Sequence, residues 1–250
     1  MKTTLPSSAY KLPAITLLFW IMKICATTLG ETAGDLLSMT LDIGYAASSA
    51  VLLAAFLVTL IFQLRSRIYQ PYLYWSVILA TSTAGTTMSD FMDRTLGLGY
   101  ATGSAILLGT LIVILSIWWF VERSLSVTNI KSFRAELFYW IAILVSNTLG
   151  TALGDFLADD SGLGFLGGAI LIGGVLVLIV LATYLTKIPK TALFWAAFVL
   201  TRPFGATMGD VLTKMPDQGG LGLGTIGSSF VLAVVLILII RYTIRAQLDE

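Results

Sequence analysis

Four aspartates recur in matching surroundings along the chain: Asp35, Asp90, Asp155 and Asp210. Each closes a stretch rich in small and hydroxyl side chains, reading ATTLGETAGD, TSTAGTTMSD, SNTLGTALGD and TRPFGATMGD in order. Carboxylates flanked by hydroxyl and carbonyl oxygens suit hard cations such as Mg²⁺, Ca²⁺ or Mn²⁺. Three further charges, Lys23, Glu31 and Arg202, stand in the same apolar stretches. A charge inside an apolar helix is costly, so it marks a functional site unless a structural partner accounts for it. The candidate ion ligands are therefore Asp35, Asp90, Asp155, Asp210 and Glu31, with the hydroxyls of Thr28, Thr83 and Thr148 beside them. Lys23 and Arg202 are the candidates for charge balance or gating. Five carboxylates against these two cations leave three negative charges, much of which a bound divalent cation would offset. The competing reading is structural: an aspartate near a helix end can accept hydrogen bonds from a neighbouring turn and fix it. Met88 and Met208, two residues before their aspartates, would favour a transition metal such as Mn²⁺ if they were ligands and are otherwise apolar filler.

The elements that must carry these residues follow from composition. Of 250 residues, 57 % are hydrophobic and 12 % charged, with a mean hydropathy of +0.90. A soluble domain carries about 25 % charged residues; half that, at this hydropathy, points to an integral membrane protein. The net charge of +1 gives no basic excess for nucleic acid, and the absence of histidine excludes His-ligated metal sites and Ser-His-Asp triads. Cys25, the only cysteine, can form no intrachain disulfide. The chain contains no Walker A loop, nucleophile elbow or His-Glu-x-x-His sequence, so an enzyme is not expected and no cofactor is implied beyond a bound divalent cation.

Internal repetition sets the architecture. Trp20, Trp75, Trp140 and Trp195 each stand fifteen residues before one of the aspartates, and Gly30, Gly85, Gly150 and Gly205 each stand five before. A second block follows in each repeat, with aligned glycines at Gly44, Gly99, Gly164 and Gly224. The chain is expected to form one transmembrane domain, 1–250, of four repeats at about 11–66, 67–125, 131–187 and 188–245. Two pseudo-symmetric halves, 1–126 and 127–250, are related by a shift of 120 residues. Each repeat supplies two helices, so the fold class is an all-α membrane protein of eight transmembrane helices in four pseudo-equivalent hairpins. The expected spans are 13–38, 44–64, 71–94, 99–121, 134–157, 164–186, 191–213 and 222–244, each long enough for a bilayer core of about 30 Å. The run from Pro13 shares the motif of the later ones and reads as a retained helix, not a signal peptide. Gly-xxx-small pairs at the starts of the even-numbered helices, such as Gly44/Ser48 and Gly99/Gly103, read as close-packing devices. Glycines beside the aspartates allow close packing or a locally unwound helix, and Pro203 points to a break. The turn aspartates, Asp42, Asp93, Asp159, Asp160 and Asp217, read as solvated.

The recurring Trp, Gly and Asp positions resemble those of a family of bacterial membrane proteins with four tandem two-helix repeats and a signature tryptophan, catalogued as a repeat of unknown function. The resemblance runs from about Lys11 to Arg245. It implies the fold, and a bacterial inner membrane as the location. Eleven of the fifteen Lys and Arg residues fall in the termini and inter-repeat loops, and only Arg94 and Lys214 fall in the turns within repeats, which places both termini in the cytoplasm.

The function expected from these residues is a secondary transporter for a cation, with a divalent metal such as Mn²⁺ the expected ion, bound by a central ring of the repeated aspartates. Gly30 to Asp35 loosely resembles the Glu-x-Gly-Asp motif of cation/proton exchangers, although Glu31 stands four residues before Asp35 and occurs in one repeat only. Two alternatives stay open: a transporter of a small organic or anionic solute bound by Lys23 and Arg202, and a non-transporting membrane scaffold or accessory subunit. The expected partners are the bilayer and the transported solute, with no nucleic acid, and a homo-oligomer is left open.

Overall fold

The computed structural model describes residues 12–127, 130 and 132–248; Lys2, Lys11 and Lys131, counted above in the charge asymmetry, lie outside them. Eight α-helices and no strands are found among the described residues: α1 Leu17–Asp35, α2 Tyr45–Arg65, α3 Pro71–Asp90, α4 Tyr100–Glu122, α5 Phe133–Asp155, α6 Gly164–Leu185, α7 Lys190–Thr213 and α8 Thr225–Leu248. Local chemistry explains several starts. Thr16 and Ser132 cap α1 and α5 by accepting from the backbone N–H groups of Phe19 and Ala135. Pro71 opens α3 where its missing N–H costs nothing.

The helices form two concentric rings. The inner ring is α1, α3, α5 and α7, each packed on the next, with α7 closing on α1. The outer helices cover it in a shifted register: α2 packs on α3, α4 on α5, α6 on α7, and α8 returns to α1. Each outer helix thus leans on the first helix of the following repeat more than on its own partner. The two helices of a repeat are joined in sequence but pack mainly on neighbours from other repeats. The chain leaves the first three inner helices through a single π turn at Leu36–Thr40, Phe91–Thr95 and Phe156–Asp160, and lands one helix further round the ring. The turns are closed by Leu41, Leu96 and Ser161 N–H groups donating to the carbonyls of Leu36, Phe91 and Phe156, each at 2.9 Å. In the fourth repeat α7 ends in ordinary helix and a short 3-10 turn, Pro216–Gln218, occupies the extra residues.

The glycines that open the outer helices have a different role from the one their spacing suggested. Gly44, Gly99, Gly164 and Gly224 all have φ near +70° to +81°, and a Cβ on any of them would meet nothing. They turn the chain, because only glycine enters that region freely. The packing half of each pair is the second residue: Ser48, Gly103, Gly168 and Ser228 are buried.

Among the described residues, five helices are long and apolar enough to cross a membrane: α2, α4, α6, α8 and the α5 segment from Phe133 to Asp160. The four outer ones bury little of themselves and present large apolar side chains such as Val51, Ile112, Leu178 and Phe230 to the surroundings. That is the surface of a multi-pass membrane protein. α1, α3 and α7 are less apolar because they turn their polar side chains into the centre.

Candidate functional site

Residues four apart lie on nearly one face of a helix. Four such faces meet in the inner ring and stack side chains in layers. The layers are Lys23/Ile78/Ile143/Phe198, then Thr27/Ser82/Asn147/Arg202, then Glu31/Thr86/Thr151/Ala206, then Asp35/Asp90/Asp155/Asp210, and all sixteen residues are buried. Below them, towards the face that carries the starts of the inner helices, aromatic side chains close the bundle. Phe19, Tyr74, Tyr139 and Phe194 form the next layer, with the Tyr74 and Tyr139 hydroxyls 2.7 Å apart. Trp75, Trp140 and Trp195 pack beside them, and Trp195 Nε1 donates to the Leu125 carbonyl at 3.0 Å.

Glycines allow the ring to be this tight. A Cβ on Gly30 would strike Ser82, on Gly85 Asn147, on Gly150 Arg202, and on Gly205 Thr27. Every repeat glycine therefore seats the equivalent residue of the next inner helix. None of the helices unwinds there, and α7 runs unbroken through Pro203. The expected break beside the aspartates is replaced by close packing, and the irregularity comes one turn later as the π turn.

Arg202 occupies the centre. Its Nη2 lies 2.9 Å from Glu31 Oε2 and also donates to the hydroxyls of Thr86 (2.6 Å) and Thr151 (2.7 Å). Thus all four inner helices are tied at one point: α1 through Glu31, α3 through Thr86, α5 through Thr151 and α7 through Arg202. Lys23 reaches up into the Arg202 layer, where its Nζ donates to Asn147 Oδ1 at 3.4 Å and lies 4.2 Å from the Phe198 ring centroid.

The four aspartates do reach a common layer, but as two pairs. Arg94 Nε is 2.8 Å from Asp90 Oδ1, and its Nη2 is 3.5 Å from Asp155 Oδ2. Lys214 Nζ is 3.3 Å from both Asp35 Oδ2 and Asp210 Oδ1. Burial works against the Lys214 ammonium, yet the carboxylates of Asp210 and Asp35 outweigh it and push its pKa above the ordinary lysine value. Arg94 and Lys214 were legible as the two cations of the turns, each four residues after an aspartate and 120 residues apart. Their spacing placed them one turn beyond the carboxylates they neutralise. With them, five carboxylates face four cations, and the excess of three negative charges falls to one.

Among the described residues, one group of carboxylates is arranged as a cation's ligands could be. Glu31, Asp35 and Asp210 each offer an oxygen, and the three atoms lie within 4.8 Å of one another. Asp90 and Asp155 do not join it. Thr28, Thr83 and Thr148, expected as ligands, donate to the carbonyls of Ile24, Leu79 and Leu144, one turn back on their own helices. The hydroxyls that reach Glu31 are those of Thr86 and Thr151. Met88 and Met208 are half-buried, and two residues correspond to about 200° around a helix, so their thioethers point away from the aspartates. Among the turn aspartates, Asp93 is buried, not solvated: it lies in the π turn, accepts from Ser89 Oγ and fills the space that a Cβ on Gly103 would need.

Searches among curated proteins and solved structures return no match. A family model does match, in four successive segments, residues 18–69, 73–124, 138–188 and 193–248. Each segment contains one of the aligned tryptophans Trp20, Trp75, Trp140 and Trp195, one aspartate of the central layer and one of the glycines that open the outer helices. These segments cover most of the chain, and the protein belongs to the family described as Repeat of Unknown Function (DUF347).

Proposed function

We propose that the protein is a secondary transporter of a divalent cation in the bacterial inner membrane. The observation that carries this reading is the convergence of Glu31, Asp35 and Asp210, three buried carboxylates from α1 and α7 with ligand atoms within 4.8 Å. Gathering them removes charges from water at a cost of several kcal/mol per ion, a cost that a bound cation would help to offset. All donors at the group are oxygens, which suits Mg²⁺, Ca²⁺ or Mn²⁺ over softer ions.

In this reading all eight helices cross the bilayer and both termini are cytoplasmic. The described cations of the terminal face, such as Arg65, Arg67, Arg134 and Lys187, support that orientation by the positive-inside rule. The carboxylates then lie towards the outer face, one turn from the loops. The aromatic layer of Phe19, Tyr74, Tyr139 and Phe194 seals the cytoplasmic side and must part for release. Arg202 holds Glu31 in place and fixes which of its oxygens faces the ion.

The test is thermal stability of the purified protein against Mn²⁺, Mg²⁺, Ca²⁺ and Na⁺, followed by uptake into proteoliposomes. A ligand at one hundred times its Kd stabilises by about 2.7 kcal/mol. A selective divalent shift, lost in Asp35→Asn, is expected. No shift with any cation sinks the reading and favours a scaffold role.

A second reading draws on Arg202 Nε and Nη1, which are buried without a hydrogen-bond partner, and on Lys23 nearby in the same layer. Donors without acceptors suit a small anionic solute. It predicts stabilisation by an anion, abolished in Lys23→Met.

A further inference from the structure

The 120-residue shift relates the two cation-bridged pairs. Arg94 corresponds to Lys214, Asp90 to Asp210, and Asp155 to Asp35. Each cation bridges the aspartate four residues before it and the aspartate of the next inner helix. Three differences break the equivalence of these two lobes.

The first is the third ligand. Glu31 adjoins Asp35 and Asp210, and its counterpart in the other half is Thr151, a hydroxyl with no charge. The second is the cation. The Arg94 guanidinium is permanently charged and planar, applies two different nitrogens to its two carboxylates, and lies 5.5 Å from the Tyr100 ring centroid. Lys214 offers one ammonium, at 3.3 Å from both partners, on a flexible four-carbon stem. The third is the backbone. Arg94 sits inside a π turn, whereas Lys214 is the first non-helical residue after α7. The returning loop pins that residue: Gly222 N donates to the Lys214 carbonyl at 2.8 Å, and Leu221 and Leu223 donate to Val211 and Leu212. Only the side chain is left to pivot.

Resting on the cation reading above, we propose that Lys214 is a tethered stand-in for the transported ion. Its ammonium occupies the Glu31–Asp35–Asp210 site and swings out when a divalent cation enters. Arg94 keeps the Asp90–Asp155 lobe closed, so one chain carries one ion. The charges match. Arg202 offsets Glu31, and departure of the Lys214 ammonium leaves two negative charges on Asp35 and Asp210 for an ion of charge two. The same exchange keeps the empty site from exposing two uncompensated buried carboxylates, since the ammonium returns when the ion leaves.

The experiment is Mn²⁺ binding to the purified full-length chain, counted by the loss of the free Mn²⁺ paramagnetic resonance signal. Wild type, Lys214→Gln and Lys214→Arg are compared, each first shown to be folded by its elution as a single species. Lys214→Gln removes the competitor and is expected to bind Mn²⁺ at least tenfold more tightly, with one ion per chain. Lys214→Arg installs a bidentate competitor and is expected to bind at least tenfold more weakly. Wild-type binding that Lys214→Gln leaves unchanged or weakens overturns the role of Lys214 alone. Two ions per chain overturn the division between the lobes. No binding to wild type or to folded Lys214→Gln overturns the cation reading itself and this inference with it.

Discussion

Glu31 on α1 and Arg202 on α7 meet inside the bundle, with Nη2 of the one 2.9 Å from Oε2 of the other and both side chains sealed from solvent. No other repeat has a charge at either position: Glu31 aligns with Thr86, Thr151 and Ala206, and Arg202 with Thr27, Ser82 and Asn147. The pair therefore breaks the fourfold pattern at the point where all four inner helices join.

Removing one partner of this pair strands the other. Breaking a buried ion pair costs about 3–5 kcal/mol. Glu31→Gln and Arg202→Met are each expected to lower the unfolding free energy by an amount in that range, and the double variant by less than the sum. Denaturation of all three in one detergent checks this; additive losses would show that the two charges do not support each other.

The aspartates should separate into two functional classes. Asp35→Asn is expected to abolish the Mn²⁺ thermal shift. Asp90→Asn leaves Arg94 short of one carboxylate, lowers stability, and retains the shift. Equal loss of the shift in both variants would mean that the four carboxylates act as one ring.

Glycines of the inner ring should be intolerant of even one methyl group. A Cβ on Gly85 would stand 2.9 Å from the backbone of Asn147 and Thr148, which cannot rotate away. Overpacking of this kind costs about 1–3 kcal/mol. Gly85→Ala is expected to lose stability in that range. Gly109→Ala, whose added carbon meets nothing, is expected to be neutral or to gain up to about 1 kcal/mol from helix propensity. Thermal denaturation of the two variants side by side decides it.

The aromatic seal contains one removable hydrogen bond. Tyr74→Phe leaves the buried Tyr139 hydroxyl without its partner at 2.7 Å. A lost hydrogen bond that strands a buried group costs about 1–3 kcal/mol. Tyr74→Phe is expected to lose that much and the double variant with Tyr139→Phe to recover part of it, as read from a two-by-two set of melting temperatures.

Repetition made most of the frame legible. Trp, Gly and Asp at constant spacing, carried on apolar runs of bilayer length, located all eight helices to within a few residues at most ends, because periodicity and hydropathy are local properties of the chain. The carboxylates and the odd charges Glu31, Lys23 and Arg202 stood out for the same reason: a charge in an apolar helix is visible without knowing its neighbours. What meets what was decided only by the tertiary structure. The outer helices cross to the next repeat through π turns in the first three repeats, a 3-10 turn in the fourth and positive-φ glycines in all four, and no hydropathy pattern records that. Arg94 and Lys214 looked like turn residues until the ring closed and brought each within reach of aspartates on two helices. Whether an aspartate is a ligand or a counter-ion depends on the charges that other helices deliver within about 4 Å of it, and that distance is set by packing between segments far apart in the chain.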